Sequence, residues 1–361
     1  MRFRIQICVI TCALTFLTFN IKLAGQTRKL PPVQYDPLEL VTGPVEVADT
    51  ADKRSAILAL LERARQNNNL HIKGMAPFHL KASFNVVGSD ASNGFGELEE
   101  MWAKGSAWRW KAHLGNYSQS RVFYRGVAYD ANSQAYQPLR LETVRQAIFW
   151  PVSGNFVNDV IRVANTMLNG KAVTCALISD PRAEASTVPG RQWHEEEYCI
   201  DPKSGLLQSY SVAPGIYSTY DYSNAFTHHG HAIARAITIV EAGTIAAQVQ
   251  IDSLQDLSAS ESVFTPTPDM KSTGILISEP MRFPQFAKAD TALAGTATQP
   301  IIVHATLDTD GKVLEAEALQ LPGSPLSDAA LQLVKNTNYG PSRAGRRVQR
   351  NVFINVQFTT P

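Results

Sequence analysis

The residues best suited to chemistry in this chain of 361 residues are three histidines, His228, His229 and His231. A His-His-x-His run could hold zinc, copper or nickel, because neutral imidazole is a good ligand for each. No acidic residue or Cys lies within a few positions on its far side. Adjacent side chains on a strand also point to opposite faces. The run therefore reads as a His-rich loop, and no metal or other cofactor is expected. His194 stands beside Glu195, Glu196 and Glu197. That charge run reads as a solvated strand end, since a catalytic carboxylate pair would need a second acid converging in space. Gly94-Phe95-Gly96 precedes a strand and has no Lys-Ser/Thr after it, so it is not a phosphate loop. No Gly-x-Ser-x-Gly elbow is present. With no catalytic constellation, the chain is not expected to be an enzyme.

Two further sets of residues could matter. Cys8 and Cys12 fall in the N-terminal segment, which leaves Cys175 and Cys199 in the body of the chain. In an oxidising compartment such a pair is a disulfide candidate, with two buried free thiols as the other reading. The aromatics Trp102, Trp108, Trp110, Phe123, Tyr124 and Tyr129 are dense. They read as the core of a β domain, or else as the lining of an apolar cavity for a lipid or acyl chain.

The elements that must position these residues follow from composition and patterning. Hydrophobic residues are 44% and charged residues 18%, which suits a packed core. The net charge of +1 argues against nucleic acid, which needs clustered Lys and Arg. Arg2 and Arg4 followed by the apolar stretch Ile5 to Ile21 resemble a secretory signal peptide over residues 1–25. Leu23 makes the cleavage site imperfect, so a retained signal anchor over residues 5–21 is the alternative. The expected location is the periplasm, free or anchored to the inner membrane.

Residues 26–48, with Pro31, Pro32, Pro37 and Pro44, read as an extended linker. Residues 49–260 read as an antiparallel β domain with an N-terminal helix. Asp49 or Thr50 can cap that helix, which carries Ala56, Ile57, Leu60, Leu61 and Ala64 on one stripe. Leu80, Ala82, Phe84 and Val86 alternate with polar residues, the period of a half-buried strand. Asn169-Gly170 and Glu241-Ala242-Gly243 mark hairpins, and Leu139 to Trp150 is more helical. About ten strands are expected, in a curved antiparallel sheet or open half-barrel. Residues 261–274, containing Thr265-Pro266-Thr267-Pro268, read as a second linker. Residues 275–361 read as a small ββαβ module, making the whole chain mainly β, or α+β.

The last segment carries a resemblance. Ile301 to Val313 contains an alternating strand, the turn Asp308-Thr309-Asp310-Gly311 and the start of a second strand. Gly323-Ser324-Pro325-Leu326-Ser327-Asp328-Ala329-Ala330-Leu331 enters a helix, Phe283-Pro284 with Ala287 lies upstream, and Pro341 with Gly345 to Val348 precedes a closing strand. Together these resemble the C-terminal domain of the TonB family. The resemblance implies capture of an extended peptide by strand addition, the partner being an outer-membrane TonB-dependent transporter or another envelope protein. The candidate edge is then Val352, Ile354, Val356 and Phe358; the other reading is a core strand with its edge covered. Ile5 to Ile21 lacks the His of a true energy transducer. The β domain more loosely resembles lipid-binding half-barrels of the lipoprotein-carrier type. That plan implies a lipid as partner and makes a periplasmic lipid or lipoprotein carrier the alternative function.

Overall fold

A computed structural model describes residues 40–88, 93–104, 107–132, 136–258, 261–272, 277–279, 285–288, 301–319, 325–341 and 349–359. The apolar stretch Ile5 to Ile21 lies outside these residues, as do Phe283-Pro284, Gly323-Ser324 and Gly345 to Val348. In chain order the elements are β1 (Glu46–Val47), α1 (Ala51–Asn68), β2 (Phe78–Val86), β3 (Gly94–Lys104), β4 (Ala107–Leu114), β5 (Tyr117–Tyr124), β6 (Val127–Asn132), α2 (Leu139–Phe149), β7 (Val160–Leu168), β8 (Lys171–Ser179), β9 (Glu196–Ile200), β10 (Leu207–Ala213), β11 (Ile216–Asp221), β12 (Phe226–His228), β13 (His231–Ile233), β14 (Ala236–Glu241), β15 (Thr244–Asp256), β16 (Lys271–Ser272), β17 (Ile277–Glu279), β18 (Gln285–Lys288), β19 (Ile301–Leu307), β20 (Val313–Ala318), α3 (Pro325–Asn336) and β21 (Arg350–Thr359).

Alternating apolar residues build the main sheet. In β2, Phe78, Leu80, Ala82, Phe84 and Val86 are all buried while Lys81 and Asn85 face water. Hairpins join most neighbours. Asn169-Gly170, Ala242-Gly243 and Arg125-Gly126 each place two successive residues at positive φ, the conformation whose twist matches that of the flanking strands. The result is one sheet of 14 strands, in the order β1-β7-β8-β9-β10-β11-β14-β15-β2-β3-β4-β5-β6-β16. Every strand pair in it is antiparallel. Ile161 near one end and Trp110 near the other enter a single apolar cluster, so the sheet curls around it. It does not close, because β1 and β16 each pair with one neighbour among the described residues.

Two helices fill the inner side. Thr50 caps α1 by accepting a hydrogen bond from the Lys53 backbone N–H at 3.3 Å. Ile57, Leu61 and Ala64 point inward from α1, while Ala56 stays exposed. α2 is buried on almost every side, including its charged residues Arg140, Glu142 and Arg145.

Both segments expected to be linkers are partly built into the fold. Val41 and Val45 pack on Ala164, Leu168, Val173 and Leu177, against the sheet face opposite α1, and β1 then pairs with β7. Phe264 is buried, Arg109 donates a hydrogen bond to the Val263 carbonyl at 2.9 Å, and β16 closes the far end of the sheet on β6. Isolated apolar residues in Pro-rich surroundings produce no periodicity, so composition alone suggested free chain.

A second sheet has the order β17-β21-β19-β20, with β18 also on β21. β19, β20, α3 and β21 give the expected ββαβ succession. α3 covers one face, where Leu326, Ala330 and Val334 meet Val303, Val352, Ile354 and Val356. The other face adds Ile302, Leu319 and Phe353 to the main cluster.

Candidate functional site

A mostly apolar cavity lies between α1 and the β1–β7–β8 end of the main sheet. It has a volume of about 250 Å³. Val47, Ala48, Ala56, Ile57, Leu60 and Val163 give it apolar walls, and Asn165 and Thr174 line it as well. Those two polar groups are bonded to each other, Thr174 Oγ1 donating to Asn165 Oδ1 at 2.8 Å, so the wall presents few unmet polar demands. Lys53 Nζ and Glu46 Oε2 pair at 2.9 Å beside it, both solvent-exposed. The Glu46 carboxylate accepts from Lys53 and holds its ammonium pKa above the ordinary 10.5. An apolar slot with a charged pair on its rim suits a chain-like apolar ligand carrying a polar head.

The dense aromatics do not line an open space. Trp102 and Trp110 are buried; Trp102 stacks on His71 and Phe78, and the Arg145 guanidinium from α2 lies over Trp110, Trp150 and Trp108. Its carbon lies 4.4 Å from the Trp110 ring centre, 4.7 Å from Trp150 and 4.8 Å from Trp108. Glu100, fully buried on β3, accepts from Arg145 at 3.2 Å and meets His71 Nε2 at 2.6 Å. Burial pushes Glu100 up, but Arg145 and His71 more than offset this and hold it below the usual carboxylate value. The cluster fixes α2 against β3 and β4.

The second sheet docks on the N-terminal end of α2. Glu315 accepts from the Leu139 backbone N–H at 3.0 Å, and Asn351 donates to the Leu139 carbonyl at 3.1 Å. Arg140 bridges Glu241 of β14, at 2.7 Å, and Glu317 of β20. Burial alone would raise Glu241; Arg140 and then His304 bring it down to about 2.

The expected peptide-binding edge is not an edge. β21 runs antiparallel to β19 on one side and parallel to β17 and β18 on the other. Val352, Ile354 and Val356 are buried toward α3, and Phe358 packs against the same cluster. A terminal strand reads as peripheral in sequence, whereas two short parallel strands with no strong pattern of their own place it inside. Cys175 and Cys199 do form a disulfide, between β8 and β9, where the register sets them opposite each other. The Glu run is not solvated either. Glu195 pairs with Arg162 at 2.6 Å and Glu197 with Arg191 at 3.6 Å, all four side chains buried. The partner Arg162 stands far away in sequence, which local reading could not supply.

His231 is drawn off to the Gln66 carbonyl at 2.6 Å. His228 and His229 instead share a corner with Asp256, the last residue of β15. Local pattern offered no signal for this acid.

No protein-family model and no curated protein matches the chain. Solved structures do. A LolA superfamily protein from Nitrosomonas europaea is 11% identical, with a TM-score of 0.36, covering 58% of this chain and 97% of that one. A domain assigned as an outer membrane lipoprotein-sorting protein from Vibrio parahaemolyticus is 9% identical, with a TM-score of 0.37, covering 56% and 95%. MucB, solved in complex with MucA(peri), is 13% identical, with a TM-score of 0.24, covering 70% and 74%. The interior position of β21, between β19 and the parallel strands β17 and β18, overturns the TonB-type peptide edge, and no TonB domain stands among these neighbours. The ββαβ succession is a general packing solution, and its order of turn, helix and strand motifs was not specific enough to carry the family.

Proposed function

We propose that this chain is a non-catalytic carrier of the cell envelope that shelters an acyl chain, from a lipid or a lipoprotein, beneath α1. The observation that carries the reading is the apolar cavity of about 250 Å³ between α1 and β1, β7 and β8, rimmed by Lys53 and Glu46. Its size falls just below the ~300–1,000 Å³ of drug-sized pockets, which favours one unbranched chain over two. An open curled sheet with a helix over its inner face is suited to this task, because a shift of the helix widens the slot without breaking a ladder. The names of the structural neighbours, a lipoprotein-sorting domain among them, belong to those proteins and run in the same direction. Among the described residues no helix is long and apolar enough to cross a membrane. Location in the periplasm rests on the basic and apolar N-terminal segment and on the disulfide, which needs an oxidising compartment.

The test is a titration of the full chain with a fluorescent fatty acid. Saturable binding, displaced by unlabelled fatty acid and lost in Ala56→Trp, supports the proposal. Ala56 lines the slot from an exposed helix position, so the larger ring fills the cavity without entering the core. Binding that Ala56→Trp leaves intact, or no saturable binding, refutes it.

A further inference from the structure

The β12–β13 hairpin turns at His229-Gly230, with φ of 47° at His229 and 87° at Gly230. In an extended strand His228 and His229 would face opposite sides. The left-handed turn breaks that alternation and swings His229 back toward the end of β15. There His229 Nε2 lies 2.7 Å from Asp256 Oδ1, and His228 Nδ1 lies 3.7 Å from the same oxygen. One ligand atom from each of the three residues falls within 4.8 Å of the others. Two donors on one tetrahedral cation at bond lengths of about 2.1 Å sit roughly 3.4 Å apart, so small side-chain rotations convert this corner into a coordination site.

We propose that His228, His229 and Asp256 form a binding site for a divalent first-row transition cation, Zn²⁺ foremost. The donor set of two imidazoles and one carboxylate suits Zn²⁺, Cu²⁺ or Ni²⁺ and leaves a position open to water. Access and pre-organisation are both present. Asp256 and His229 are exposed, at 74% and 54%, while His228 is only 5% exposed and held edge-on to Phe78 at a ring separation of 6.2 Å. His228 also meets the Ala76 backbone, the kind of outer-shell contact that orients a ligating imidazole. His231, opposite His228 in the hairpin, is committed to Gln66 of α1 and stands outside the site. The site is independent of the carrier reading. An ion here would tie the hairpin to β15.

The experiment is calorimetric titration of the metal-stripped full chain with zinc chloride, followed by the same titration on three variants. The expected result is one zinc per chain with micromolar or tighter affinity. Asp256→Asn and His229→Ala are each expected to weaken it by about tenfold or more, and His231→Ala to leave it unchanged. Both informative substitutions fall at exposed positions, so folding is retained, and a thermal melt of each variant verifies this. Substituting Co²⁺ should give the visible absorption of a four-coordinate site, weakened in Asp256→Asn. No zinc binding by the wild-type chain overturns the proposal. So does retention of affinity in Asp256→Asn together with its loss in His231→Ala, which would assign the metal to a loose histidine tract.

Discussion

Arg145→Met should expose how much the packing of α2 depends on one buried ion cluster. The substitution keeps most of the side-chain volume and removes the charge. Glu100 is fully buried and then retains only His71, at 2.6 Å, of the two side chains that hold it. Removing one partner of a buried pair costs about 3–5 kcal/mol, because the remaining charge is left without compensation. Loss of the guanidinium from the Trp108, Trp110 and Trp150 faces adds roughly 1 kcal/mol. The pH dependence changes sign. In the wild type the Glu100 pKa is depressed below 4.5, so its contribution is present above that value and fades as pH falls through the folded pKa. In Arg145→Met burial dominates and raises that pKa, so stability is lost as pH rises through it. Urea unfolding followed by tryptophan fluorescence across pH 4 to 8 measures both effects. Arg145→Met/Glu100→Gln should recover most of the loss, since the buried charge is then gone. A single-variant loss under about 1 kcal/mol, or a double variant no more stable than the single, refutes the reasoning.

Three other outcomes follow from the same geometry. Reducing the Cys175–Cys199 disulfide, or replacing both residues with Ser, should cost about 3.5 kcal/mol by loop-closure entropy for a separation of 24 residues, read as a shift in the urea midpoint. Gly215→Ala should loosen the second sheet from the first. The position has φ of 88°, and an added Cβ would press on the Leu319 carbonyl, so a loss above 1 kcal/mol and faster amide exchange in β20 are expected. Glu241, held at about 2, contributes stability above pH 4.5 that disappears as pH falls toward 2. Acid titration of Glu241→Gln should lack that slope, worth ~3 kcal/mol in the wild type.

Local periodicity was enough for much of the fold. The alternation in β2, the Asn169-Gly170 turn and the stripe of α1 each follow from side-chain spacing, and so does the disulfide as one of two readings. Long-range pairing was the part that spacing could not carry. β1 and β16 have two residues each, too few for any pattern, yet they terminate the sheet. β21 looked peripheral because the parallel strands β17 and β18 are short and precede it in the chain. The cavity was legible only as one half, the apolar stripe on α1. Its other wall comes from Val163 and Val47, which fall by local pattern in the strand before the Asn169-Gly170 turn and in a linker, with nothing to bring either against α1. Asp256 was invisible as a partner of the histidines for the same reason, since β15 delivers it from 27 residues away.

A carrier of this kind must admit an acyl chain to the slot under α1. Methyl-labelled protein titrated with a fatty acid bearing a nitroxide along its chain tests this directly, because relaxation broadening reports distance to the chain. Carriage in the slot should broaden the methyl signals of Val47, Ile57, Leu60 and Val163 and leave Val334 of α3 and Ile354 beneath it sharp. Broadening centred elsewhere, or none at saturating ligand, would contradict it.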